Sequence, residues 1–322
     1  MIDQKEAIKA GGPVVGVDIS ESMILVATSN LGGNIWDASL RVIDLATKKV
    51  VASVQQHNGC ADVCWAGLGQ RAICAEDSGD VKVYRLDQDA PARLLEVATL
   101  QEHDDIVSCV AASCSQDGLV LSGSHDRSIN VWDIAGGRQA SLDTLTGHSN
   151  DVTGVEWAAG EDDNQIFASS SLDCSMRIWD RRQAQGCCAC HWLGVPALSL
   201  AWEPSAQVLM AVGCEDGTLA VLDRRALSSP VSVQQTHAGR VNRTSFRPAA
   251  VGDGQGQTSP LLASVGDDGV LSMQTLEEGS YHSRSTLHSD YVQALTWRDE
   301  NNLITGGWDS ELCLVHVGQT DA

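Results

Sequence analysis

The chain has 322 residues, 43% of them hydrophobic, and a formal net charge of −21. This charge repels nucleic-acid phosphates and anionic membranes and attracts basic partners, although it can also serve solubility alone. Because the sequence lacks both an apolar run of about 18 residues and a basic start followed by an apolar segment, we expect no membrane-spanning helix and no signal peptide. The 11 cysteines, mostly in predicted strands, favour a reducing compartment, so we expect a cytoplasmic and nuclear protein.

One pattern recurs along the chain about every 45 residues. Its clearest copy runs HDDIV at 103–107, SGSHD at 122–126 and INVWD at 129–133. The next copy has GH at 147–148, SSSLD at 169–173 and MRIWD at 176–180. Alternating apolar residues in such segments are typical of half-buried strands, and the Asp residues between them suit tight turns.

The repeats predict an all-β protein, a seven-bladed WD40 β-propeller that occupies residues 1–322 as a single domain. Each blade has four strands, which we call a to d from the hub outward. The predicted blades are 13–56, 57–102, 103–147, 148–190, 191–236, 237–287 and 288–317. The chain ends after strand c of blade 7, so an N-terminal strand at 5–11 is expected to complete that blade and remove the open edges.

A polar set recurs with the strands. The residues of the two complete sets are His103, Ser122, Asp126 and Trp132, and then His148, Ser169, Asp173 and Trp179. Catalysis needs one site, whereas this set is repeated, so we interpret it as a structural network and expect no enzyme. The same opening His is assigned to His57, His191, His237 and His288 in other blades, and blade 1 lacks it.

Three of the nine Trp residues have no role in the repeat: Trp36, Trp192 and Trp308. Trp36 lies in residues 30–39, which we predict to be a long loop between strands b and c. Trp308 precedes the turn Asp of blade 7. Exposed aromatic residues on loops are frequent interface anchors, although each can instead fold back over its own blade.

Two short motifs carry weaker signals. Cysteines at 187, 188 and 190 precede His191, but they alternate along a predicted strand and lack a second ligand pair, so we predict no metal site and no cofactor. The segment Trp179–Arg182 fits the WDxR pattern of propellers that dock on cullin-4 ubiquitin ligase adaptors, which gives an alternative function as a substrate receptor. Another WD40 adaptor role also fits.

The segment from Glu102 to Asp133 closely resembles the third blade of the methylosome WD-repeat subunits. The first-blade segment with Trp36, the run TGGWD at 305–309 and the ending VHV at 315–317 are similar to the same family. The likeness spans most of the chain, but only the blade 3 run is dense.

The resemblance implies a non-catalytic cofactor of the type II protein arginine methyltransferase. It implies that Trp36 inserts into the methyltransferase, in a hetero-octamer built on a methyltransferase tetramer, and that the chain helps to present Arg-rich substrates such as Sm proteins and histone tails. The predicted partner-binding residues are Trp36, Ile35, Asn34, Trp308, Asp104 and Asp105.

Overall fold

The computed structural model describes residues 2–32, 35–67, 69–87, 92–113, 118–158, 164–183, 186–204, 208–248, 260–276 and 282–318. These residues form seven four-stranded antiparallel sheets, which confirms the predicted all-β, seven-bladed propeller. None of the described segments forms a helix long and apolar enough to cross a membrane.

In six of the sheets the strands run outward from the hub in chain order, and in the seventh the last three strands of the chain are followed by its first strand. The inner strands a are β2 (Val14–Ser20), β6 (Cys60–Ala66), β10 (Val107–Ala112), β14 (Val152–Trp157), β18 (Ala197–Trp202), β22 (Val241–Phe246) and β26 (Val292–Asp299). The b strands are β3 (Met23–Gly32), β7 (Arg71–Glu76), β11 (Leu119–Ser124), β15 (Ile166–Ser171), β19 (Leu209–Cys214), β23 (Leu261–Gly266) and β27 (Asn302–Gly307).

The c strands are β4 (Ile35–Asp44), β8 (Asp80–Asp87), β12 (Ser128–Asp133), β16 (Ser175–Asp180), β20 (Thr218–Asp223), β24 (Val270–Thr275) and β28 (Glu311–Val317). The outer strands d are β5 (Lys49–Gln56), β9 (Arg93–Gln101), β13 (Asp143–Thr146), β17 (Cys187–Trp192), β21 (Ser232–Gln235), β25 (His282–Thr286) and β1 (Ile2–Lys9).

The hydrophobic core lies between the blades. The buried residues of the described chain group into seven clusters, and each cluster draws on two neighbouring sheets. Trp65, Trp157, Trp202 and Trp297 end or nearly end their inner strands and are buried, as predicted. A blade alone would therefore expose both its faces, and the ring is what buries them.

An N-terminal strand closes blade 7, as predicted. β1 pairs antiparallel with β28, so that Lys5 lies opposite Val315 and Ala7 opposite Cys313. The strand spans Ile2–Lys9 and not 5–11. It ends at Lys9 because Gly11 takes a positive φ of 84° and Pro13 offers no N–H, which together turn the chain into β2.

The assignments of His57 and His191 as opening residues were wrong. In blades 3, 4, 6 and 7 the opening His stands four residues before its inner strand begins. The residues at that place in blades 2 and 5 are Gln56 and Leu193, whereas His57 is exposed and His191 lies within β17. Residues 191 and 192 consequently belong to blade 4. The prediction took the nearest His in sequence, and strand register decides which residue faces the network.

The polar network of blade 3 joins four side chains. His103 contacts Asp126 through Nδ1 at 2.8 Å and Ser122 Oγ through Nε2 at 2.7 Å. The indole Nε1 of Trp132 donates to the same Ser122 Oγ at 2.8 Å. When Nδ1–H of His103 donates to Asp126 and Nε2 accepts the Ser122 proton, both ring nitrogens are satisfied, and the buried Ser122 hydroxyl donates to His103 and accepts from Trp132.

Blade 4 repeats this arrangement. His148 contacts Asp173 at 2.9 Å and Ser169 at 2.7 Å, and Trp179 donates to Ser169 at 2.8 Å. Burial lowers the pKa of His148, so its ring is neutral near pH 7. Burial alone would raise the pKa of Asp173, but its hydrogen bonds, including that with Ser175, outweigh burial and lower this pKa to about 2.

Other blades carry different side chains at the positions of the opening His, the strand-b Ser and the strand-c Trp. Blade 5 has the apolar set Leu193, Val212 and Leu222, in which Val212 and Leu222 are fully buried. In blade 2, Tyr84 donates its hydroxyl to Gln56 at 3.0 Å. A satisfied polar set and a fully apolar set are both compatible with the fold.

We expect Ser122→Ala to reduce the free energy of unfolding by about 2–3 kcal/mol, because it leaves His103 Nε2 and Trp132 Nε1 buried without a partner. Val212→Ser, which adds the same hydroxyl in blade 5, is also expected to destabilise, by roughly 1–3 kcal/mol, since its apolar neighbours offer no hydrogen bond. Urea unfolding measures both. A neutral Ser122→Ala, or a stabilising Val212→Ser, would contradict this account.

Candidate functional site

The turns between strands b and c and the loops between d and the next a lie on one face of the ring, which we call the top face. On this face the axial channel opens into a cavity of about 360 Å³. Each of the seven inner strands has an irregular register around its second residue. These second residues line the cavity: Val15, Ala61, Ser108, Thr153, Leu198, Asn242 and Gln293.

Polar members of this ring tie neighbouring blades together. Thr153 Oγ1 donates to the carbonyl of Ala197 at 2.8 Å, and Asn242 Nδ2 donates to that of Val292 at 3.0 Å. Ser108 makes the equivalent bond to Val152. Because these donors already form hydrogen bonds within the propeller, we interpret these cavity-lining residues as braces between blades. The exposed aromatic side chains on the top face are better candidates for recognition of a partner.

Trp308 and Tyr291 form an exposed aromatic pair on the top face. Trp308 is 44% exposed and Tyr291 is also 44% exposed, with ring centroids 5.6 Å apart and planes tilted by 57°. The backbone N–H of Trp308 donates to the carbonyl of Tyr291 at 2.8 Å, which fixes the turn and the loop side by side. Such amphipathic rings on a rigid support suit a protein interface.

Sequence reasoning missed Tyr291. Its signal is positional: it directly precedes inner strand β26, where the other blades carry Pro13, Gly59, Ile106, Asp151, Pro196 and Arg240. An aromatic residue at a place where the repeat does not need one is informative in the same way as Trp308.

The segment around Trp36 is a hairpin and not the predicted loop. β3 and β4 continue their ladder past the usual turn, and Trp36 pairs with Leu31 and Ile35 with Gly32. In blade 3 the corresponding ladder stops at the pair Gly123 and Ile129. The extra pairs carry the hairpin roughly 15 Å further above the top face. Asn34 lies outside the described residues, and only the backbone of Ile35 and Trp36 is described.

Asp104 and Asp105 lie on the top face in the loop before β10, and both are exposed. The N–H of Asp104 donates to the network residue Asp126 at 3.0 Å, so the structural set also fixes this acidic loop. Nearby, His125 Nδ1 stands 3.6 Å from Asp151. Asp104 and Asp105 are therefore available to a basic partner, but the structure does not bring them into one cluster with Trp308.

Further down the channel, Arg243 of blade 6 forms an ion pair with Asp62 of blade 2, on the other side of the ring. Asp62 Oδ2 also accepts the N–H of Val110 at 3.2 Å. Two more carboxylates face this region. Asp18 accepts the N–H of Trp65 at 2.7 Å, and Glu156 accepts that of Trp202 at 2.9 Å.

Burial raises the pKa values of both carboxyl groups, that of Asp18 to about 6 and that of Glu156 to about 8. For Glu156, the backbone hydrogen bond from Trp202 and the charge of Arg243 offset burial only in part. Glu156 is thus largely protonated at neutral pH, which spares the channel an uncompensated charge.

The WDxR segment lies on the opposite, bottom face. Arg182 donates from Nε to Asp180 Oδ1 at 2.8 Å and from Nη2 to Oδ2 at 2.9 Å. Its side chain is about half exposed. Cys187, Cys188 and Cys190 lie on outer strand β17, and within the described residues no group of three or more His, Cys, Asp or Glu is placed to hold a metal ion.

A family model described as "WD domain, G-beta repeat" matches residues 95–133 and 139–180. The chain is 26% identical over 311 residues to Methylosome protein WDR77 of Xenopus laevis, covering 92% of this chain and 87% of that protein. It is 26% identical over 252 residues to the Ribosome biogenesis protein WDR12 homolog of Drosophila virilis, with 76% and 48% covered.

A third relative is Histone acetyltransferase type B subunit 2 of Candida glabrata, 27% identical over 181 residues, with 55% of this chain and 42% of that protein covered. The matches thus span less than half of each of the last two relatives and most of the first. The identities are nearly equal, so the extent of coverage is what separates the three.

The partly buried carboxyl of Glu156 predicts a pH dependence of stability. Its pKa rises from 4.5 to about 8 on folding, so between these values the native chain binds more protons than the unfolded chain, and stability falls as pH rises. We expect Glu156→Gln to remove this fall, so that its advantage over the wild type grows by on the order of a few kcal/mol from about pH 5 to about pH 8.

Urea unfolding at a series of pH values tests this expectation, with Asp104→Asn as a control that removes an exposed carboxyl. A difference between Glu156→Gln and the wild type that stays constant over the whole range would contradict the assignment.

Proposed function

We propose that this seven-bladed propeller with WD40 repeats is a non-catalytic scaffold subunit that binds and activates a type II, symmetrically dimethylating protein arginine methyltransferase. The observation that carries the proposal is the extended first-blade hairpin with Trp36, which stands above the same face as Trp308 and Tyr291. Similarity to a methylosome protein over 92% of the chain supports it.

The proposed contact combines reach with a rigid platform. Strands held by continuous backbone pairing as far as Gly32 and Ile35 lose little freedom on binding, so a Trp within this ladder is an efficient anchor. The pair Tyr291 and Trp308 offers a second apolar contact at the channel mouth. Two separated anchors on one rigid ring define the orientation of a partner better than one anchor does.

We propose further that the acidic surface helps to bring Arg-rich substrates, such as Sm proteins and histone tails, to the methyltransferase. The net charge of −21 attracts such chains, and exposed groups such as Asp104 and Asp105 offer carboxylates to them. This attraction mainly accelerates encounter and weakens as salt rises. A hetero-octamer in the cytoplasm and the nucleus completes the proposal.

The alternative role, as a substrate receptor for a cullin-4 ligase, uses Arg182 on the bottom face. The two proposals thus place the partner on opposite faces of the ring, and substitutions on each face distinguish them. The exposed aromatic pair and the hairpin both lie on the top face, where the methyltransferase is proposed to bind. They therefore favour the methyltransferase over the ligase adaptor.

We expect Trp36→Ala to weaken binding of a purified type II methyltransferase by about 30-fold or more, which corresponds to loss of a hot spot worth about 2 kcal/mol. Trp308→Ala is expected to weaken binding by a smaller factor, because Tyr291 remains. Calorimetry gives the affinities, and methylation of an Arg-rich peptide gives the activation.

Two controls accompany this measurement. Trp192 is 61% exposed at the top-face end of outer strand β17 in blade 4, where it pairs with Ser175, but blade 4 lies across the ring from the hairpin of blade 1, so Trp192→Ala should bind as the wild type does. Arg182→Ala, on the bottom face, should also leave methyltransferase binding unchanged. If Trp36→Ala binds and activates the enzyme like the wild type, the assigned contact is wrong.

A further inference from the structure

Blade 7 differs from the other blades at one residue of its c strand. Leu314 is only partly buried, whereas the corresponding residues of the other six c strands are buried: Val42, Val83, Val131, Ile178, Val221 and Met273. A pocket of about 140 Å³ opens beside Leu314 on the bottom face, between blades 7 and 1. We propose that this pocket binds the C-terminal residue of a partner protein, with its aliphatic side chain inside and its carboxylate on Arg298. The site is separate from the proposed methyltransferase contact on the top face.

The floor of the pocket is apolar. Leu45 follows the c strand of blade 1, and Ile304 and Leu314 lie opposite each other on strands b and c of blade 7. All three belong to the hydrophobic cluster between these two blades. An aliphatic side chain that enters the pocket removes this apolar surface from water, which favours binding.

Arg298 lies at the rim of the pocket, where its strand is irregular. Among the seven inner strands, only β26 has a second irregularity in its pairing, between Trp297 and Asp299, and Arg298 is the residue left without a pair. Bulges of this kind redirect a side chain and are frequent beside active sites. Here the side chain of Arg298 lines the pocket and is 46% exposed.

The guanidinium of Arg298 is available to an anion. Its one ion pair within the described residues is with Asp299, whose Oδ2 lies 3.6 Å from Nε, beyond hydrogen-bond distance. Asp299 already accepts the N–H of Asn301 at 2.9 Å and Nδ2 of Asn302 at 2.8 Å. In the described part of the chain no hydrogen bond holds the Nη groups of Arg298, so its planar fork can bind a carboxylate through two N–H groups.

The size of the pocket favours a single residue. Pockets for drug-sized ligands measure about 300–1,000 Å³, so a volume of about 140 Å³ suits roughly one aliphatic side chain. Because the guanidinium stands at the rim of so small a pocket, the carboxylate should belong to the same residue as the side chain. The last residue of a protein chain has this combination, since it carries both an α-carboxylate and its side chain.

The other charges at the rim favour a peptide with one negative charge. Glu6 lines the pocket and forms an ion pair with Lys48. The α-ammonium group of a free amino acid therefore meets no unpaired carboxylate among the lining residues. A phosphate with two charges would face Glu6 and a chain of net charge −21 with only one free arginine to balance it. A C-terminal carboxylate brings a single charge, joined to a group that matches the floor.

Titration of the full chain with short peptides tests the proposal. The leucine methyl groups of the chain are isotopically labelled, and the peptide Gly-Ser-Gly-Ser-Leu ends either in a free carboxylate or in an amide. We expect the methyl signals of Leu45 and Leu314 to shift and saturate with the carboxylate peptide. The amide peptide should bind at least about tenfold more weakly, because it offers no charge to Arg298.

Two substitutions separate the two parts of the site. Arg298→Gln should weaken binding of the carboxylate peptide by about tenfold and leave that of the amide peptide unchanged. Leu314→Phe fills the pocket and should abolish binding of both peptides. Arg138→Gln is the matched control, because Arg138 is an exposed arginine in the turn between strands c and d of blade 3, on the same face. Thermal unfolding shows whether each ring is intact, and Arg298→Gln decides the test if Leu314→Phe does not fold.

Four results would overturn the proposal. In the first, the carboxylate peptide gives no saturable shift at millimolar concentrations. In the second, the amide peptide binds as tightly as the carboxylate peptide. In the third, Arg138→Gln weakens binding as much as Arg298→Gln, which would indicate general attraction. In the fourth, free leucine, or a peptide with an internal Leu-Asp pair and an amidated end, saturates the two methyl signals at lower concentrations than the carboxylate peptide.

Discussion

The antiparallel ladder between β1 and β28 is the interaction on which the rest of the structure depends, because it joins the two ends of the chain within one sheet. Each hydrophobic cluster is shared by two neighbouring blades, so none of the seven blades is stable alone. The cluster between blades 7 and 1 contains Ile8, Val14 and Leu312, which come from both ends of the sequence. Without closure this cluster and an outer edge would be open to water.

A closed ring tolerates wide variation in the side chains that fill the network position of each blade. Blade 3 uses a hydrogen-bonded set around Ser122, and blade 5 uses Val212 at the same place. Blade 1 has no opening His, and there Arg41 donates to the carbonyl of Ala10 and, at 2.9 Å, to Ser39. An orphaned polar group costs more than either complete solution, yet the ring also holds partly satisfied sets, because Gln56 Nε2 in blade 2 and Gln274 Oε1 in blade 6 are buried without a hydrogen-bond partner among the described residues.

The repetition of one local pattern explains which features the sequence predicts. The fold, the closing strand and the sets around Trp132 and Trp179 follow from strict repetition, since the spacing of strands is a local property of the chain. His57 and His191 were misassigned because a shift of one or two residues along a strand moves a side chain to another environment, and composition does not register such a shift.

Contacts across the ring lie beyond local patterns altogether. Asp62 and Arg243 are 181 residues apart and meet only because blades 2 and 6 face each other across the channel. Tyr291 is recognised as part of a candidate site only because its ring contacts Trp308, which lies one hairpin later in the chain. Residues that depart from the repeat are thus visible in sequence, but their partners become visible only once the ring is closed.

The geometry of the ring also determines whether binding on one face affects binding on the other. The hairpin of blade 1 stands above the top face, whereas the turns between strands c and d lie on the bottom face, so a partner bound on one face would leave the other face open. Coupling between them would require the ring to change shape, and braces such as Thr153 to Ala197 and Arg243 to Asp62 resist that change. Binding energies on the two faces should therefore add, as they do for distant, independent sites. A scaffold of this kind acts by holding partners near one another, with an effect set by effective concentration.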